Sequence, residues 1–180
     1  MLTLDDFPPG WTATDEAVEP PAESPCKQIR QAEAAVNAHV NGPIFVEGQT
    51  VEIEQAVYIY ASEDAAESHF AALATGSVRA CSAEYIADRL AENVSTAEFK
   101  EETTSELAVA PVGSESAAFR VTIPYTSEFF DGEVVVDAVL VRVGRGLFLL
   151  TTLREVGPPD DEQRNKLVAV AAQRLDREFE

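Results

Sequence analysis

The sequence predicts an α+β domain: a single antiparallel β-sheet of about five strands, with its helices packed on one face. Three observations lead there. Apolar residues recur at helical spacing in the first half and again near the end, while residues from about 97 to 153 read as strands rich in β-branched and aromatic side chains. Those strands follow one another without intervening helices, as in an antiparallel meander. Turn signals, Asp131-Gly132 and Gly144-Arg145-Gly146, stand between them.

Taken in order, residues 1–23 read as an irregular N-terminal arm or linker remnant, and residues 24–180 as one domain. Pro8-Pro9-Gly10 and Pro20-Pro21 punctuate the arm. Its Trp11, the only tryptophan of the chain, is expected to dock it on the body. Ser24-Pro25 supplies an N-cap and a first-turn proline for a helix carrying Ile29, Ala32, Ala35 and Val36, which Asn41-Gly42-Pro43 would end. A strand follows from about Thr50 to Tyr60. It has Val51, Ile53, Val57 and Ile59 on one face and Glu52, Glu54, Tyr58 and Tyr60 on the other. Ser62-Glu63-Asp64 opens a second helix through about Ala74, and a third runs from about Ser82 to Glu92. The remaining strands are expected near Ala97–Val109, Ala117–Thr126, Glu133–Val143 and Leu147–Leu153. Pro158-Pro159-Asp160 then starts a last helix to about Glu178, with Leu167, Val168, Ala171, Leu175 and Phe179 as its apolar stripe.

Charge narrows the partners. The chain has 180 residues and a formal net charge of −19, from 32 Asp+Glu against 13 Lys+Arg. Such a surface repels phosphate backbones and anionic headgroups, so nucleic acid and a peripheral membrane surface are set aside. There is no apolar run long enough to span a bilayer and no signal-peptide pattern. Met1 fits a native start, and equally a start codon placed where an export signal or anchor has been removed. The two cysteines, Cys26 and Cys81, read from the residues alone either as buried free thiols or as one disulfide. A bridge would close a loop of roughly fifty residues, worth about 4 kcal/mol by chain entropy.

Little in the sequence carries catalytic chemistry. His39 and His69 fall on different expected helices, with no nucleophile motif and no zinc spacing near them. No cofactor and no metal are expected. Gly144-Arg145-Gly146 joins two strands and is too short to cradle a phosphate. Glu52 and Glu54 share one strand face, where two carboxylates can do acid–base work or simply meet solvent. Asp137 sits among valines in a strand that is apolar on both faces, so its charge needs a partner. Arg120 and Arg142 are the candidates, and a structural Asp137–Arg120 pair across neighbouring strands is favoured over a cleft-lining Asp137 that meets a polar ligand group. Tyr58 and Tyr60, with apolar bodies and polar tips, and Phe129-Phe130, adjacent aromatics near a loop tip, are the other candidate ligand contacts.

Several segments together resemble the extracellular sensor domain of the mycobacterial kinase H type, a family that also occurs as actinobacterial lipoproteins. They are Phe7-Pro8-Pro9-Gly10-Trp11, Cys26 on the first helix, Glu54-Gln55-Ala56-Val57-Tyr58-Ile59-Tyr60, the helix with Ala65-Ala66 and Phe70-Ala71-Ala72-Leu73, Cys81 after it, and Asp137-Ala138-Val139-Leu140-Val141-Arg142-Val143-Gly144 ahead of the final helix. The resemblance implies an α+β fold, an extracytoplasmic location, a Cys26–Cys81 disulfide and a cleft for a ligand, with no enzymatic activity. Well-known members carry a second cysteine pair, which this chain lacks. The function it implies is a non-catalytic sensor or ligand-binding domain for a small amphipathic or lipid-like molecule, acting in signal transduction. Its partner would be that molecule or a cell-envelope component. The alternatives are a protein-interaction or cell-envelope structural domain without a small ligand, and a carboxylate-based hydrolase or isomerase if Glu52, Glu54 or Asp137 converge in a pocket.

Overall fold

The strand Asp131–Val143, here β8, is apolar on both faces, and the fold is arranged around it. Residues 1–14, 26–48, 50–94, 96–155 and 160–179 are described by the computed structural model of the chain. The first elements are a 3-10 turn, Leu4–Asp6, and strand β1, Trp11–Thr14. Helix α1, Lys27–Ala34, and strands β2, Ala38–Asn41, β3, Ile44–Glu47, and β4, Val51–Ile59, come next. Helices α2, Glu63–Leu73, and α3, Gly76–Asn93, follow. The second half holds β5, Ala97–Phe99, β6, Thr103–Glu106, β7, Glu115–Ser127, then β8, β9, Gly146–Arg154, and helix α4, Asp161–Arg177.

All described strands form one antiparallel sheet in the order β1-β3-β4-β9-β8-β7-β5, with β2 added to β4 and β6 added to β7. The α+β class and the single antiparallel sheet match the expectation. The sheet has nine strands rather than about five. The extra ones are three or four residues long, too short to show an alternating pattern, and β2 is exposed at every position. Residues expected to be an irregular arm include an edge strand. Trp11 is buried there beside Phe7, which also meets Phe45 at a ring-centroid distance of 4.3 Å.

The helices do not gather on one face. Val139 and Val141 of β8 and Phe148 and Leu150 of β9 pack under Leu167, Val168 and Ala171 of α4. On the opposite face, Val134 and Val136 with Val121 and Ile123 of β7 meet Ala83 of α3, and Leu147 of β9 meets Ala66 and Phe70 of α2. The central strands are apolar on both sides, so a single helical layer would leave one side wet.

Three boundaries also move. The first helix ends at Ala34, and the segment after it runs along β4 as β2 and β3, bent at Gly42-Pro43. Gly42 is required at the bend because a Cβ there would stand 2.5 Å from the Gln55 side chain. The third helix, expected from about Ser82, starts at Gly76, so Cys81 lies inside α3. The hairpin turn expected at Asp131-Gly132 is built from residues 127–130: Thr126 already pairs with Asp131, and the Ser127 hydroxyl accepts from the backbone N–H of Phe130 at 3.2 Å. Ser24, Pro25, Pro158 and Pro159 lie outside the described residues. Asp160 caps α4 as expected, its carboxylate accepting from Gln163 N–H at 2.8 Å.

Cys26 and Cys81 form a disulfide, with Cα atoms 5.8 Å apart. It ties the N-cap residue of α1 to α3 across a sequence separation of 55.

Candidate functional site

The odd-numbered face of β4 supplies Val57 and Ile59, and β2 sets Val40 beside Val57 in register. These side chains are only partly covered by α4, and Val40 is exposed. The β8–β9 turn rises next to them. Its first loop residue, Gly144, has φ +52°, and Arg145 follows it with a negative φ, the pattern of a II′ hairpin. A Cβ at Gly146 would lie 2.9 Å from the Phe179 ring and 3.2 Å from Leu175, so the glycine lets both side chains close over this point. Phe179, just past α4, is thereby laid across the start of β9, and the Arg145 guanidinium stands 5.8 Å from its ring centroid.

The chain start closes the other side. Gln55, buried on β4, accepts a hydrogen bond from Leu2 N–H at 2.7 Å and donates to the Leu2 carbonyl at 3.1 Å. Arg174 of α4 donates to both oxygens of Asp6 at 2.7 Å and to the Met1 carbonyl at 2.8 Å. Burial works against the Asp6 carboxylate, but the Arg174 hydrogen bonds hold its pKa below the ordinary value. Burial, and then Arg174, push the Met1 amine down.

Between these parts lies a groove of about 620 Å³, lined by Val40, Val57, Ile59, Leu175 and Phe179 as apolar wall, with Arg145, Arg174, Arg177 and Glu178 at its rim and Met1 and Thr3 alongside. That volume is in the usual range for a small-molecule site, as is the mixture of apolar walls with a few polar groups.

A second cluster is buried. Asp137 and Arg120 are directly opposed on β8 and β7, and Arg120 donates to Asp137 through Nε at 2.6 Å and Nη2 at 2.8 Å. Arg164 of α4 donates Nη1 to the same carboxylate at 2.6 Å and to Asp161 at 2.7 Å, and Arg120 reaches Asp161 at 3.0 Å. Asp137 is 2% and Arg164 4% exposed. The Asp137 hydrogen bonds raise the Arg120 pKa further. Burial opposes the charged form of Asp161, yet the Arg164 and Arg120 guanidiniums hold its pKa low. The other candidate, Arg142, instead pairs with Glu115 across the β7–β8 ladder at 2.5 Å. Arg164 was not singled out in the sequence, because a charge on α4 gives no sign of reaching a strand. Beside the cluster is a cavity of about 20 Å³, room for one water, faced by Gln163 and Arg164.

The five residues read as ligand candidates are not brought together. Asp137 is enclosed under α4. Tyr58 and Tyr60 are on the opposite face, stacked on His39 at 4.6 Å and on His69 at 4.8 Å, and burial pushes both phenols up to about 12. His39 thus sits on a strand, not on a helix. Phe129 and Phe130 are on the β7–β8 turn, 86% and 57% exposed. Glu52 and Glu54 lie on the Tyr58 face, so the sheet separates them from Asp137. Burial, and then Glu52, raise the Glu54 pKa. The sequence reading missed Arg145, Arg174, Arg177 and Val40 as groove residues. Leu175 and Phe179 were visible as part of an apolar stripe, but Val40 was hidden by the extended first helix.

Among the described residues, no group of His, Cys, Asp and Glu side chains is arranged to hold a metal ion, and no helix is long and apolar enough to cross a membrane. No protein-family model matches the chain, and no curated protein matches it.

Proposed function

We propose that this chain is a non-catalytic, extracytoplasmic sensor or ligand-binding domain whose groove beside the end of α4 takes a small amphipathic molecule. The groove carries the reading: apolar wall and charged rim occur together, on side chains from β2, β4, α4 and the β8–β9 turn. Strand β4 and helix α4 pack into the core, and β2 and the β8–β9 turn are held beside them by the sheet ladder. The Cys26–Cys81 disulfide supports an oxidising compartment. The resemblance to the kinase sensor domain supports the same location and a role in passing on a binding event.

The test is native mass spectrometry of the protein exported by an actinobacterial host, set against its denatured mass. The expected result is excess native mass that disappears on denaturation. A bare native mass, with no small amphiphile binding when titrated back, would overturn the reading. One observation then favours a protein-interaction or cell-envelope domain. Phe129 and Phe130 project from a turn that Ser127 fixes through three hydrogen bonds, so the aromatic pair is exposed yet held in place.

A further inference from the structure

We infer that the ligand of this groove is a single-chain amphiphile with an anionic head, a carboxylate or phosphate held by Arg145 and Arg177, and an alkyl body lying on Val57, Ile59 and Leu175. The inference rests on the groove being the ligand site, and it adds the chemistry of the head.

The first ground is where the cations are. The chain has 13 Lys+Arg against 32 Asp+Glu, yet two arginines without a carboxylate partner among the described residues, Arg145 and Arg177, line one groove; Arg174 there is neutralised by Asp6, and Glu178 is the carboxylate of the lining. Two unneutralised guanidiniums in one groove are a local exception on a chain of net charge −19. They therefore attract anions where the remainder of the molecule repels them.

The second ground is what each arginine already does. Arg174 is occupied, joining Asp6 and the Met1 carbonyl to α4. Arg145 and Arg177 are not. Among the described residues, no carboxylate lies within ion-pair distance of either. The Arg145 guanidinium rests near the Phe179 ring, which leaves its N–H donors open. Arg177 makes one long bond, Nε to the Gln173 carbonyl at 3.4 Å. Arg177 also complements the dipole at the end of α4, which explains a cation on that turn. That role does not account for Arg145, which comes from the β8–β9 turn and meets the same groove. The planar guanidinium is the side chain best matched to a carboxylate or phosphate.

The third ground is the wall. Val57, Ile59 and Leu175 present aliphatic surface and only Phe179 an aromatic ring, next to Arg145. A flexible alkyl chain follows such a surface, with its head on the arginines that share the lining.

The experiment titrates the folded chain by calorimetry with octanoate, octyl phosphate, octan-1-ol and octyltrimethylammonium, all below their micelle concentrations, and with inorganic phosphate. Octanoate and octyl phosphate are expected to bind at least about tenfold more tightly than octan-1-ol, as charge-assisted hydrogen bonds allow. The cationic amphiphile and inorganic phosphate are expected to bind least. The double variant Arg145→Gln/Arg177→Gln should lose that preference while keeping its affinity for octan-1-ol. Raising the salt concentration should weaken octanoate and spare octan-1-ol in the unaltered protein, a readout that needs no variant. Equal binding of octanoate and octan-1-ol, unaffected by salt or by the double variant, would overturn the anionic head and leave the groove standing. Tight binding of inorganic phosphate alone would overturn the alkyl body. Binding by none of them would overturn the groove itself.

Discussion

Asp137 shows how one residue can be read for its chemistry and still be misjudged in its surroundings. A carboxylate among valines signals a need for a partner, and Arg120, directly opposite on the next strand, meets it. The second partner, Arg164, arrives from a helix 27 residues away in sequence, and only the packing of α4 on β8 shows it. Breaking such a buried group by removing one charge leaves the others uncompensated, at a cost of about 3–5 kcal/mol. Asp137→Asn keeps the size of the side chain and leaves Arg120 and the buried Arg164 to share one carboxylate, the exposed Asp161. The expected outcome is a large fall in the urea midpoint with octanoate affinity unchanged in whatever protein remains folded. Intact stability with altered ligand binding would mean that Asp137 serves the ligand and not the core.

At the scale of the element, long segments were legible and short ones were not. Val51–Ile59, Asp131–Val143 and Gly146–Arg154 are long runs rich in β-branched and other apolar residues, and in β8 and β9 buried side chains lie on both faces, so these strands announce themselves by length and composition. Strand β2 buries none of its residues, which leaves no periodic signal, and the apolar Ile29, Ala32, Ala35 and Val36 before it extended the apparent helix too far. The groove was lost with it, since Val40 faces the groove only if this segment is a strand. Glycines mark the other hidden features. Gly132 was read as a turn residue, but it lies within β8, and its missing Cβ makes room for the Tyr125 ring, 2.7 Å from where that atom would be. Gly146 does the same for Phe179. Gly146→Ala puts a methyl group 2.9 Å from that ring. Phe179 is near the end of the described chain and can turn aside, so stability should fall by no more than about 1–3 kcal/mol. The wall next to Arg145 moves with it, and octanoate affinity should fall several-fold. Calorimetry on the folded variant checks this; unchanged affinity would mean that Phe179 is not part of the binding wall.

At the scale of the molecule, the disulfide links the fold to its compartment. Helix α1 is eight residues long and has one buried residue, Ala32, so little packing of its own holds it. The bridge from Cys26 fastens this short helix to α3, an 18-residue helix that packs on the sheet through Ala83. Closing a loop of that length restricts the unfolded chain by about 4 kcal/mol, a large share of the stability of a domain. The double variant Cys26→Ser/Cys81→Ser should therefore lower the unfolding free energy by about 2–5 kcal/mol relative to the oxidised protein, with the loss appearing as a lower urea midpoint. Replacing both cysteines leaves no unpaired thiol, so the difference reports the cross-link itself. The reduced protein should match the variant. A thiol assay on unfolded, unreduced protein from an oxidising host decides whether the bond forms at all, and two free thiols would remove the support for an extracytoplasmic location. If the bond forms and the octanoate affinity of the double variant equals that of the oxidised protein, the bridge stabilises the α1–α3 side of the sheet without shaping the groove. The geometry predicts this result, because Cys81 belongs to α3, on the face opposite α4, and Cys26 is bonded to it there.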